Sequence, residues 1–90
     1  MSAIPKVSPL EYEILAVLAA NEELHPLQIV DASTAVKRGS IYAYLDRLEK
    51  KKWVSSAAAG VQQFSGQPIR RYRITGVGRA RYRAVGPQDG

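Results

Sequence analysis

The chain has 90 residues and no cysteine, which excludes a disulfide scaffold, thiolate metal sites and cysteine nucleophiles. At 46% hydrophobic and 23% charged it reads as one small globular domain. No apolar run nears the roughly 18 residues of a membrane span, and no signal-peptide core follows Lys6, so a cytoplasmic location is expected. The net charge of +5 is uneven: residues 1–35 set Lys6 against Glu11, Glu13, Glu22, Glu23 and Asp31. Residues 36–90 hold every other lysine and arginine against only Asp46, Glu49 and Asp89. A basic half on an acidic half suits a polyanion on one face; the plainer alternative is a solvated basic surface.

Ser8-Pro9-Leu10-Glu11 predicts a helix start, with Ser8 and Glu11 as a capping box and Pro9 where its missing N–H costs nothing. Leu10, Ile14, Val17 and Leu18 then form one apolar face through about Ala20. Asn21-Glu22-Glu23 reads as a connector. Pro26 opens a second helix with Leu27, Ile29 and Val30 as its apolar content and Ala32–Ala35 as a frayed end. A third helix is expected from Arg38 to about Lys51, packing through Ile41, Leu45 and Leu48. Its opposite arc carries Gly39, Ala43, Asp46, Arg47 and Lys50, with Tyr42 and Tyr44 on the flanks.

Past Lys52 the period changes. Trp53-Val54-Ser55-Ser56 is a short strand, and Ile69–Ile74 is a clearer one with Tyr72 and Ile74 on one side and Arg71 and Arg73 on the other. The uncharged stretch Ala57–Pro68 between them is long for a hairpin tip and is expected to be mobile. Thr75 caps a last helix over about Gly76–Val85. The domain is expected to span residues 1–85, with 86–90 as a flexible tail. The fold class is mainly α with a small β-hairpin: three helices, a two-stranded wing and a short C-terminal helix, the winged helix-turn-helix order. In that arrangement the third helix enters a major groove while hairpin arginines meet phosphates.

Three segments resemble the PadR-like transcriptional regulators. Leu10-Glu11-Tyr12-Glu13-Ile14-Leu15-Ala16-Val17-Leu18 is like the family's opening helix. Gly39-Ser40-Ile41-Tyr42-Ala43-Tyr44-Leu45-Asp46-Arg47-Leu48-Glu49-Lys50 is similar to its Gly-x-(Leu/Ile)-Tyr-x-x-Leu-x-Arg-Leu-Glu pattern. Arg71-Tyr72-Arg73-Ile74-Thr75-Gly76-Val77-Gly78-Arg79 is similar to its Tyr-x-Leu-Thr-x-x-Gly ending of the wing. The sequence departs at His25-Pro26-Leu27, where the family often has His-Gly-Tyr, and at Lys52, where it usually has glycine. Family members normally continue into a C-terminal helix that dimerises, whereas this sequence stops soon after Val85. The resemblance implies a repressor of transcription with double-stranded DNA as partner and a small aromatic effector held at a dimer interface. The alternatives for assembly are a homodimer through a shortened helix and N-terminal surfaces, a monomer or a half-module.

By the family pattern Tyr42 lies at the DNA surface, where its hydroxyl bonds a phosphate or a base edge; the alternative is an aromatic shielding the core. Lys37, Arg38 and Ser40 stand at the start of the third helix, where side chains and free backbone N–H groups both favour a phosphate. Arg38 can instead read guanine through its fork. Arg47 reaches toward the duplex or pairs with Asp46. Arg70, Arg71 and Arg73 are the wing's phosphate candidates, and Lys50-Lys51-Lys52 reads as solvated lysines offsetting the helix dipole. Trp53 reads as the aromatic sealing the wing base, and His25, the only histidine, as a helix-start residue. No cofactor, metal site or membrane contact is expected, and no nucleophile constellation supports an enzyme. The expected function is sequence-specific DNA binding by a transcriptional regulator. Its rivals are a winged-helix adaptor for a protein partner and a nonspecific nucleic-acid-binding module.

Overall fold

The chain starts its first two helices with reciprocal side-chain caps. In the computed structural model, which describes residues 7–61, 66 and 68–85, α1 runs Pro9–Ala19. The Glu11 N–H donates to Ser8 Oγ at 3.2 Å and the Ser8 N–H donates to Glu11 Oε1 at 3.0 Å, so two otherwise orphaned donors are satisfied. α2 (Pro26–Ala32) uses His25 in the same way: the Leu27 N–H donates to His25 Nδ1 at 3.1 Å and the His25 N–H to Gln28 Oε1 at 2.8 Å. Ala32–Ala35 is not the frayed end expected from sequence. Ser33 Oγ accepts from the N–H groups of Ala35 and Val36 at 3.2 and 3.0 Å and donates to Glu13 Oε2 at 2.7 Å. The turn is thereby tied to α1, and Val36 is buried beneath it.

α3 (Arg38–Lys50) buries Ile41, Leu45 and Leu48 completely, against Ile14, Leu15 and Leu18 of α1 and Ile29 of α2. It ends in two nested bonds, Lys52 N–H to the Glu49 carbonyl at 2.9 Å and Trp53 N–H to the Leu48 carbonyl at 3.0 Å. This ending requires one residue in the left-handed region, and Lys52 supplies it at φ 70°. The position where the family usually has glycine thus keeps the glycine conformation without the glycine. Lys52→Gly is expected to stabilise the domain by about 1 kcal/mol, raising the thermal midpoint by about 4–8 °C in a calorimetric scan.

The charge run at this end is only partly solvated. Lys51 Nζ lies 2.8 Å from Glu11 Oε2 and 4.6 Å from the Trp53 ring centroid, clamping the end of α3 to the start of α1. Lys51 is therefore a tertiary contact, contrary to the sequence expectation, because the fold brings a buried carboxylate beneath it. Burial pushes the Glu11 carboxyl up, but the Lys51 ammonium and the Ser8 N–H and hydroxyl outweigh it and hold the group below its ordinary value of 4.5. A depressed folded pKa contributes stability above the unfolded value and loses it as pH falls through the folded value. Glu13, lowered chiefly by the Ser33 hydroxyl, adds a dependence of the same sign. Glu11→Gln is expected to cost about 1–3 kcal/mol at pH 7 and to flatten the fall in urea stability between pH 5 and pH 3.

β1 (Val54–Val61) and β2 (Pro68–Ile74) form an antiparallel hairpin with Val54 opposite Ile74, Ser56 opposite Tyr72 and Ala58 opposite Arg70. The first strand is longer than the expected Trp53–Ser56. Ala57 and Ala58 have weak strand propensity, yet the patterned β2 supplies partners for both, and the register shifts only beyond Ala58, around Gly60 at φ 121°. On its other edge β2 meets the connector before α2: Leu24 and Tyr72 exchange N–H···O bonds of 3.0 and 2.8 Å. Residues 62–65 and 67 of the expected mobile tip, and the expected tail over 86–90, lie outside the described residues. α4 (Gly76–Val85) follows Thr75, whose Oγ1 accepts from the Gly78 N–H at 3.0 Å. It returns to α1, where Tyr82 stacks on Tyr12 with ring centroids 5.1 Å apart.

Candidate nucleic-acid interface

Burying Ile41, Leu45 and Leu48 decides what α3 shows to solvent. The 3.6-residue period turns Arg38, Gly39, Tyr42, Ala43, Asp46, Arg47 and Lys50 outward, all exposed, with Tyr42 at 54%. Ser40 is half-buried at the edge of this arc, while Tyr44 on the other flank packs against the core. The start of α3 differs from those of α1 and α2. Lys37 is its N-cap and makes no side-chain cap bond. Ser40 and Ile41 both donate to the Lys37 carbonyl at 3.0 Å. A side chain added at Gly39 would meet only open space. Lys37 and Arg38 therefore flank an uncovered helix N-terminus, where backbone N–H groups and the helix dipole both favour an anion.

Arg47 does not pair with Asp46. The i, i+4 spacing gives Asp46 to Lys50 at 3.2 Å, and the Arg47 guanidinium sits 5.2 Å from the Tyr44 ring centroid. Its charge stays on the exposed arc. The three wing arginines are divided by strand alternation. Arg71 and Arg73, opposite Ala57 and Ser55, lie on the face away from buried Tyr72 and Ile74. Arg73 lines an open cleft of about 840 Å³ together with Glu22, Glu23 and Arg79, so acidic groups share its surroundings. Arg70 lies on the opposite face, toward α3, where Nη1 donates to Ser56 Oγ at 3.2 Å. Ser56 Oγ in turn donates to Glu49 Oε2 at 2.7 Å.

Sequence reasoning missed Ser56 and Glu49. Ser56 carries no signal until the register places it across from Tyr72, and Glu49 is a half-buried carboxylate in the Arg-Leu-Glu run of α3 whose partner lies on another element. Trp53 is buried at the wing base as expected and lies under Lys51. Among the described residues no group of three or more His, Asp or Glu could hold a metal ion, and no helix is long and apolar enough to cross a membrane.

Three helices, a basic hairpin and a closing helix, with one helix face left exposed beside the hairpin, define a winged helix-turn-helix domain. The chain belongs to the PadR-like family of transcriptional regulators, whose sequence profile matches residues 14–84. This is a family of regulators and not of enzymes. A search among curated proteins gives no significant match. Among solved structures, the chain is similar to Bacillus subtilis PadR in complex with operator DNA, at TM-score 0.74 and 18% identity over 94% of this chain and 51% of that one. A PadR-like transcription factor from Bacteroides fragilis aligns at TM-score 0.68 and 28% identity, over 84% of this chain and 75% of that one. A mutant of Escherichia coli MarR complexed with operator DNA aligns at TM-score 0.68 and 18% identity, over 88% of this chain and 53% of that one. The chain thus spans about half the length of the two operator-bound proteins.

Proposed function

We propose that this protein is a sequence-specific double-stranded DNA-binding repressor that acts in the cytoplasm, with α3 in the major groove and the hairpin on the flanking backbone. The observation that carries this reading is the uncapped start and exposed arc of α3 on a fold shared with operator-bound regulators. Arg38 and Tyr42 read base edges. Lys37, Ser40 and Arg47 position the helix on the backbone, and Arg70, Arg71 and Arg73 neutralise phosphates along the wing. Two copies reading half-sites about one helical turn apart would make the site an inverted repeat.

Selection from a random duplex pool at physiological salt tests the proposal. An enriched motif is expected, as an inverted repeat for a dimer. With four to six phosphates neutralised, log affinity should fall with log salt at a slope of about −4 to −5. A pool that returns unenriched overturns base reading. Absence of binding even at low salt leaves the winged-helix adaptor for a protein partner as the reading to pursue.

A further inference from the structure

Among the described residues, Arg70 is the wing arginine whose guanidinium is tied through a hydroxyl to α3. The Ser56 hydroxyl both donates to Glu49 on α3 and accepts from Arg70 on β2, so one side chain on β1 links the exposed helix to the wing. A hydroxyl has one proton, and Glu49 takes it at 2.7 Å; the oxygen lone pairs are then turned toward Arg70. Tyr72, directly across from Ser56, feels the same cluster. Burial raises its hydroxyl pKa first and the Glu49 charge raises it further, while Arg70 pulls the other way. Polar groups of α3 and both strands thus converge on the seam between helix and hairpin.

We propose that Glu49 and Ser56 form a positioning relay that holds Arg70 on the α3 side of the wing, prepared to meet the phosphate beside the groove that α3 enters. The proposal rests on the DNA-binding reading above. A guanidinium carries five N–H donors, and within the described residues Arg70 engages Ser56 through Nη1, which leaves a pair for bidentate contact with phosphate oxygens. Arg71 and Arg73 lie on the opposite face of the hairpin from Ser56, so their contribution does not depend on its hydroxyl. Fixing Arg70 before DNA arrives removes part of the ordering cost that a free arginine meets on binding.

A double-mutant cycle on duplex affinity separates positioning from simple charge. Ser56→Ala is expected to weaken binding by about 3- to 10-fold with the salt slope unchanged, because Arg70 keeps its charge and loses only its anchor. Arg70→Ala should lower the slope by about 0.9, the contribution of one phosphate. In the Arg70→Ala background Ser56→Ala should have no further effect, whereas with Arg71→Ala the two losses should multiply. Ser56→Thr, which keeps the hydroxyl, should restore wild-type affinity, and thermal midpoints verify that every variant is folded. If Ser56→Ala costs the same with and without Arg70, or if Arg70→Ala leaves the slope unchanged, the relay is overturned while DNA binding stands. If the wild type binds no duplex even at low salt, about 50 mM, the underlying reading falls and the relay with it.

Discussion

Gly78→Ala is expected to destabilise the domain by about 3 kcal/mol or more, lowering the thermal midpoint by roughly 12–24 °C. The sign runs against helix propensity, since alanine is the better helix former by about 1 kcal/mol. Gly78 is buried in the first turn of α4, and an added methyl would fall on the Trp53 carbonyl, with Ile74 Cγ1 only 3.0 Å away on another side. That carbonyl cannot easily give way. It accepts the Thr75 N–H at 3.0 Å and lies 3.0 Å from Thr75 Oγ1, which also lies 2.6 Å from the Lys52 carbonyl. The absent side chain lets α4 approach the hairpin root directly, and a methyl would prise the two apart. Gly76→Ala, two residues earlier with open space around its Cβ, is the control and should be neutral or mildly stabilising. Parallel thermal unfolding of both variants decides the matter: equal midpoints would refute the close approach.

Local chemistry made much of this architecture legible in advance. Ser8, Pro9 and Glu11 announce α1, and the Ile41–Leu45–Leu48 stripe announces which side of α3 is buried, because both signals act within a few residues. Features that need two distant segments were not legible. The Leu24–Tyr72 bridge joins residues with no mutual sequence signal, and only the packing of α1 and α2 against β2 brings them together. Ala57 and Ala58 carry no strand pattern of their own; their extended state is imposed by the partner strand. Lys51 reads as one of three consecutive lysines until the fold sets Glu11 beneath it.

The candidate interface divides along the same line. Lys37 and Arg38 were identifiable because they stand at the start of a helix announced by its own apolar stripe, whereas Tyr42, on the flank by periodicity, was identifiable through the family pattern. Strand alternation correctly separated Arg71 and Arg73 from Tyr72 and Ile74. Carried two residues back from Tyr72, the same alternation sets Arg70 on the Tyr72 side, but what that side faces is tertiary information. Only the register and the packing of β1 beside α3 reveal that Ser56 and Glu49 wait there. Asp46 shows the converse: adjacency in sequence suggested Arg47 as its partner, whereas helical geometry places successive side chains apart and favours Lys50.

Arg38→Ala and Tyr42→Ala are expected to lose about 1–3 kcal/mol each on the selected duplex, roughly 5- to 150-fold in affinity, and much less on random DNA. Both side chains project from the exposed arc of α3 and neither supports the core, so the variants should unfold at the wild-type midpoint. Their chemistry differs in a measurable way. Arg38 beside the uncapped helix start can fork onto a guanine edge, so its loss should relax preference at one base pair and also flatten the salt slope slightly. Tyr42 carries no charge, so Tyr42→Ala should alter preference with the slope intact, and Tyr42→Phe should reproduce that change if the hydroxyl does the reading. Arg71→Ala supplies the contrast: its loss should weaken selected and random duplexes alike and lower the slope by about 0.9. Titrations of all four variants against both duplexes at several salt concentrations separate the two modes of contact. Equal losses on selected and random DNA for Arg38 and Tyr42 would reduce α3 to a backbone clamp, and the search for base readers would then move to the wing.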